Sequence, residues 1–428
     1  MEGNLPLISL IALLIAIVVS VTTSLNIGTL AMGLALVVGN YIGGAKIADI
    51  IKGYPTSLFI LLAGVTYLFA IAQVNGTLEK ITKYAIKAVG GNVALLPIVF
   101  FFLAFGISAM GPGQITTAAL MAAPAMLLEA EVGMSPLLMA LVVGNGAQAG
   151  AMSPIAPPGI ITADLVGKMG ITGVSGTLWL NMFIGHFAVA IIAYLLFGGL
   201  KLLRVKNHNQ RKTLMAMKIT RFNQSQIYTL VGIALLIIGS LTIKKFDIGL
   251  NAFMIGAILS LLKVADESKA IKAMPWGTIL MVTGVTVLVQ LMSTLGGIDL
   301  FASIMAKVST PYTITMVAGF IAGLISVYAS TTGVILPMFL PLAPVLLEKL
   351  GGSPTDVTQL MPLLSSIIVC GFIVDLSPLS TTGAVFLANA APETNKTRLF
   401  RDMLIWGLSM SVVGALISWL AFTVMRLP

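Results

Sequence analysis

One cysteine, Cys370, and two histidines, His186 and His208, are all that 428 residues offer of the soft metal ligands. A single thiol makes no intrachain disulfide, and no zinc cluster can be assembled from this set, so neither redox chemistry nor a structural metal is expected. Charge is equally scarce: charged residues are 9% of the chain and hydrophobic ones 58%, far from the balance of a soluble domain. The formal net charge of +9 does not point to nucleic acid, because the bases stand in short runs between apolar stretches, where they set membrane topology. The N-terminus starts with an acidic residue and has no small-x-small cleavage site, so the first span is expected to be retained, with the mature chain beginning near Met1. What remains is an all-α polytopic membrane protein.

Apolar runs long enough to cross a core of about 30 Å fall near residues 5–23, 26–43, 57–75, 92–110, 135–163 and 177–200. A second set follows near 227–243, 248–263, 276–293, 310–329, 357–389 and 403–425. Between them, residues 201–225 read KLLRVKNHNQRKTLMAMKITRFNQS, the only long polar stretch and a basic linker. The halves on either side, 1–200 and 226–428, repeat each other at nearly fixed displacement. Pro55, Gly64-Val65-Thr66 and Gly76 recur 220 residues later as Pro275, Gly284-Val285-Thr286 and Gly296. Ile107-Ser108 and Ser135-Pro136 recur after 218 residues, and Ser153-Pro154 with Gly159 recurs after 224 as Ser377-Pro378 with Gly383.

Gly111-Pro112-Gly113 interrupts the run 92–130, where proline removes a helical hydrogen bond and the glycines permit a tight reversal. This segment reads as a re-entrant hairpin, and 310–350, turning near Ser330 to Gly333, reads as its twin. Each half then has five crossings and one hairpin, an odd number of crossings, so the second half is expected to be inverted. With the linker cytoplasmic, sixteen bases collect on that side against eight on the other, which places both termini outside an inner (plasma) membrane. Segments 77–90 and 297–308 carry mixed charges at helical spacing and are expected to lie along the interfaces.

The stretches SPIAPPG at 153–159 and GFIVDLSPLSTTG at 371–383 break the fourth and ninth crossings at matching places. Backbone that leaves helical geometry at membrane depth has unpaired polar groups, tolerated only where protein or a polar ligand satisfies them. Helix ends meeting near the midplane would present N–H groups and partial positive charge to an anion. No lysine or arginine lies in the middle of any span, so an anionic substrate would rest on these ends with Gly113, Gln114, Thr116, Thr117, Ser153, Pro154, Ser330, Thr331, Thr332, Ser377, Ser380, Thr381 and Thr382. Singly, such hydroxyls are ordinary helix-to-helix bonds, but their bunching at four matched breaks indicates a site. Asp375 is the only acidic residue deep in a span, which suggests a cation-linked role or, structurally, a cap on the broken helix. His186 reads as a packed histidine, and Glu129, Glu131 and Glu348 as solvated groups closing the hairpins.

The order of hairpin, broken helix and span, twice over, resembles the divalent anion/sodium symporter fold of the ion transporter superfamily. The wording GNGAQAGAMSPIAPPGIITADL at 144–165 and VDLSPLSTTGA at 374–384 resembles its malonate and dicarboxylate carrier branch. The resemblance implies a homodimer, with the early spans of each half as scaffold and the rest moving as an elevator. It implies a small organic anion as substrate, of the malonate, succinate or malate class, and no cofactor other than sodium ions. The family has a Ser-Asn-Thr triplet at each hairpin tip; here the tips read Pro112-Gly113-Gln114 and Ser330-Thr331-Thr332. The serine four residues earlier, a sodium ligand in the family, is matched by Ser108 and Ser326, so cation coupling is implied at Ser108, Ser326 and Asp375. The family also contains exchangers that need no cation, so symport and exchange both stay open.

Two rivals of other classes are weaker. Gly173-Val174-Ser175-Gly176 with His186 suggests an intramembrane hydrolase, yet eleven residues of helix separate serine from histidine by about 16 Å, too far for a nucleophile and its base. A passive anion channel would explain polar re-entrant loops but not paired broken helices. The chain is therefore expected not to be an enzyme.

Overall fold

Long stretches of Leu, Ile, Val, Ala and Met leave the backbone only one way to satisfy its own polar groups in lipid, and that is the helix. In the computed structural model, which describes residues 4–23, 25–88, 93–202, 220–243 and 246–427, every described element is helical. Most of the basic linker, and Lys244 and Lys245, lie outside the described residues.

The helices of the first half are α1 (Leu5–Thr22), α2 (Ile27–Ala35), α3 (Thr56–Val74), α4 (Thr77–Ala88), α5 (Leu96–Ala109), α6 (Gly113–Val132), α7 (Pro136–Ala151), α8 (Pro157–Lys168) and α9 (Ser175–Leu196). Those of the second are α10 (Gln224–Thr242), α11 (Ile248–Leu261), α12 (Trp276–Thr294), α13 (Gly297–Lys307), α14 (Ile314–Ser326), α15 (Leu342–Lys349), α16 (Val357–Val374), α17 (Thr381–Ala388) and α18 (Lys396–Ser418). Among the described residues, six helical stretches are long and apolar enough to cross a membrane by themselves, and shorter apolar helices accompany them. This is an integral multi-pass protein.

Two packing groups are visible. In the first, α2 lies on α12 and α3 lies on α11, while α1 packs on α13. A Cβ on Gly28 or Gly284 would collide with backbone of the facing helix, and so would one on Gly64 or Gly249. Only glycine lets these backbones approach so closely. The Tyr67 hydroxyl reaches Ser260 (2.7 Å) and donates to Glu267 (3.0 Å), fastening α3 to the second half. In the second group, α7 is packed by α5, α6 and α9, and α16 by α14 and α18; α9 also lies on α16.

Sequence signals explain the interruptions. Helix α7 stops at Ala151 and α8 restarts at Pro157, with prolines in its first turn, where their missing N–H groups need no helical partner. Helix α16 stops at Val374 and α17 restarts at Thr381 under a Ser380 side chain that accepts from the Gly383 amide. One expectation is corrected here: Glu129 is not solvated but buried at the base of α6, because the chain after α17 folds over it and Thr394 donates to its carboxylate (3.3 Å). Glu348 is exposed as expected, and the side chain of Glu131 lies outside the described residues.

Candidate functional site

The first hairpin turns through Gly111 and Pro112 between α5 and α6. Gly111 has φ +137, and a Cβ there would strike the Phe69 ring of α3. The second hairpin turns after α14, and its Gly333 lies equally close to Met281 of α12. Each tip therefore rests on one helix of the crossed group. The tips also meet each other: the Gln114 amide donates to the Thr332 hydroxyl at 2.7 Å, and both residues are buried. These two residues are 218 apart, so each is the counterpart of the other in the repeat. Beside the first tip, Gly113 packs on Pro157 at the start of α8. Hairpin tips and the first break thus share one place.

The hydroxyls proposed from sequence divide into distinct kinds. Ser153 donates to the Ala109 carbonyl at 2.7 Å, tying the first break to the first hairpin. Ser330 caps the turn that follows it, Ser377 accepts from the Leu379 amide (3.3 Å), and Ser380 donates to the carbonyls of Asp375 and Ser377. Thr331 and Ser326 bond each other (2.7 Å), and each lies 2.8 Å from the Gly371 carbonyl. Ser108 and Thr117 are buried with no partner for their hydroxyls among the described residues. Thr116 lines a crevice of about 10 Å³ against Phe69 and Pro275, while Pro154 and Thr381 are exposed. Ser108 and Ser326 occupy matching positions yet differ in bonding, because Gly113 stands where the second half has Thr331.

Asp375 sits at the end of α16, fully buried. One carboxylate oxygen accepts from the Thr382 hydroxyl (3.0 Å) and the Gln148 amide (3.2 Å), and the Thr331 backbone amide also faces the group. Its other oxygen has no partner among the described residues, nor has the Gln148 carbonyl oxygen. Asp375 therefore joins the second break, the second hairpin and α7 of the first half.

The sequence reading did not select Gln148 or its neighbour on the same face of α7, Asn145. Asn145 pairs with His186 Nδ1 at 2.8 Å, and His186 Nε2 has no partner among the described residues. Since Asn145 also donates its amide to the Leu141 carbonyl, its oxygen is the acceptor and His186 Nδ1 carries the proton. His186 is thus a packed histidine held by α7, not a base for Ser175, which starts the same helix. The signal was present in GNGAQAG: two amides among glycines that let α5 and the second break approach α7, at Gly144, Gly146 and Gly150.

Known proteins agree with this picture at two levels. Residues 3–151 match the family model of the dicarboxylate carrier protein MatC N-terminus. No curated protein matches the chain. Among solved structures it is similar to the YdaH transporter of Alcanivorax borkumensis, with a TM-score of 0.56 over 89% of this chain and 88% of that one at 13% identity, which is a likeness of fold. The resemblance read from the sequence agrees with the family match over residues 3–151, about a third of the chain.

Proposed function

We propose that the protein carries small organic dicarboxylates of the malonate, succinate or malate class by secondary active transport, binding them between the hairpin tips and the two breaks. The observation that carries this reading is the Gln114–Thr332 bond, which joins counterpart residues of the two halves where four interrupted elements converge. Both groups have further donor capacity, and parting the tips would offer it to a ligand. The helix starts at Gly113, Pro157 and Thr381 add partial positive charge where no lysine or arginine stands.

The two halves act as inverted repeats on either side of the linker 201–225, since α2 with α12 and α3 with α11 are counterpart pairs. The crossed group is the scaffold of a dimer, and the broken-helix group moves along it as an elevator, its tips sliding on Phe69 and Met281. The termini lie outside and the linker lies in the cytoplasm.

Coupling rests on Asp375 with the hydroxyls near it. For sodium, oxygen ligands are the suitable chemistry, and Ser326, Thr331 and the Gly371 carbonyl supply three within 2.8 Å of one another. Ser108 would serve in the first half with its free hydroxyl. A bound cation would supply positive charge beside the substrate's carboxylates. No group of three or more His, Cys, Asp or Glu exists among the described residues to hold a transition metal.

Thermal shift of the purified protein against mono-, di- and tricarboxylates, with and without sodium, tests the substrate class. A dicarboxylate-selective rise is expected, together with accumulation of labelled malonate, succinate or malate against its gradient in proteoliposomes. Gln114→Leu should weaken both by about fivefold, through loss of about 1 kcal/mol of hydrogen bonding. Flux that only equilibrates would make the protein a channel, and accumulation driven solely by counter-substrate would make it an exchanger.

A further inference from the structure

A cleft of about 1960 Å³ opens well away from the tips, between the C-terminal end of α9 and the N-terminal turns of α18, with Glu129 in its floor. Its two walls differ in chemistry. Leu196, Leu200 and Ile405 are large, apolar and 66%, 52% and 56% exposed, as side chains facing acyl chains are. Above them Lys201, Arg398 and Arg401 line the same cleft. Asp402 takes bonds from Arg401 and lies 3.6 Å from Arg398, but each guanidinium has five N–H donors and most stay unused. Lys201 has no ion-pair partner among the described residues.

We propose that this cleft binds an anionic glycerophospholipid, its phosphate on Lys201, Arg398 and Arg401 and its acyl chain along Leu196, Leu200 and Ile405. A soluble anion would use only the basic lip and a zwitterionic lipid would gain little from it; the combination suits an amphiphile with net negative charge at a membrane surface. Asp402 pairs with Arg398 and Arg401 at the rim, but exposed pairs of this kind are weak and leave the lip free to meet a phosphate. Such a lipid would bridge the last helix of the first half to the last helix of the second, and so brace α9 against α18.

Native mass spectrometry and thermal shift of the purified full-length protein in a non-ionic detergent test this directly, with phosphatidylglycerol, phosphatidylcholine and soluble glycerol phosphate as probes. Phosphatidylglycerol should bind and raise Tm, and the other two should do neither. Lys201→Gln and Arg398→Gln should each weaken phosphatidylglycerol binding about fivefold, with Lys201→Arg retaining it. Lys307→Gln, on another surface, should bind as the wild type does. Both lip residues are exposed, so unchanged size-exclusion profiles are expected. Equal stabilisation by phosphatidylcholine, an equal shift with glycerol phosphate, or undiminished binding in the two glutamine variants would each overturn the proposal. None of these readouts involves transport, so the carrier reading stands or falls separately.

Discussion

In the crossed group, α2 meets α12 and α3 meets α11 with glycine against backbone, leaving no room for a side chain or a ligand. The broken-helix group also has glycine against backbone, where Gly146 and Gly150 of α7 meet α5, but it adds buried polar contacts, and several buried oxygens have no partner among the described residues: Ser108, Thr117, Gln148 and one of Asp375. Backbone packing of the first kind has one arrangement and resists deformation. Polar contacts of the second kind can be exchanged for bonds to an anion or a cation at small net cost. The difference supports the proposed division, with the frame in one group and the chemistry in the other.

The largest effect is expected where the frame is overfilled. Gly284→Val would drive two methyl groups into the backbone at Gly28 and should cost about 3 kcal/mol or more, read as a fall in Tm or loss of the folded fraction. A well-folded Gly284→Val protein would show that the crossing is softer than its geometry.

Next comes the amide pair on α7. Asn145→Leu leaves His186 with no partner at either nitrogen and should cost about 1 to 3 kcal/mol. The double change with His186→Leu should recover much of that loss, which a double-mutant cycle measures. Additive losses would mean that the two side chains do not act as a pair.

Smaller still is a pH effect at the buried base of the first hairpin, at the end of α6 and outside the spanning segments. Burial pushes the Glu129 carboxyl up from 4.5 to about 7, with the Thr394 bond opposing the rise and Glu393 adding to it. Because the folded state holds this proton more tightly than the unfolded one, the contribution of Glu129 to stability is full below pH 4.5 and is lost as pH rises through about 7. Glu129→Gln should flatten that fall and raise Tm relative to wild type above pH 7. Parallel Tm profiles for the two proteins would place the titrating group elsewhere.

How much of this could be read beforehand depends on what marks a residue. The helix interruptions were legible because proline and glycine announce them: Pro157 and Pro158 open α8, and both Gly159 and Gly383 stand where a Cβ would strike the carbonyl of the serine six residues earlier. Asp375 was legible because a carboxylate in an apolar span is rare. Gln148 and Asn145 were not, since an amide in a helix is as often a packing bond as a site, and only the fold brings Asp375 to Gln148 across 227 residues. Glu129 misled for the same reason: its cover, Thr394, is 265 residues away. The unlike bonding of Ser108 and Ser326 follows from a single departure between the halves, Gly113 against Thr331, whose consequence is visible only when both tips are in place.

The most direct test of the division into frame and chemistry is labelled dicarboxylate uptake by wild type and Asp375→Asn in proteoliposomes under imposed sodium or pH gradients. Asparagine keeps the size and can accept from Thr382, but it carries no charge and exchanges no proton. The variant should lose gradient-driven accumulation while retaining exchange of internal for external substrate, because exchange returns the loaded carrier without the coupling step. Accumulation by Asp375→Asn with wild-type sodium and pH dependence would contradict the account and reduce Asp375 to a cap on the broken helix.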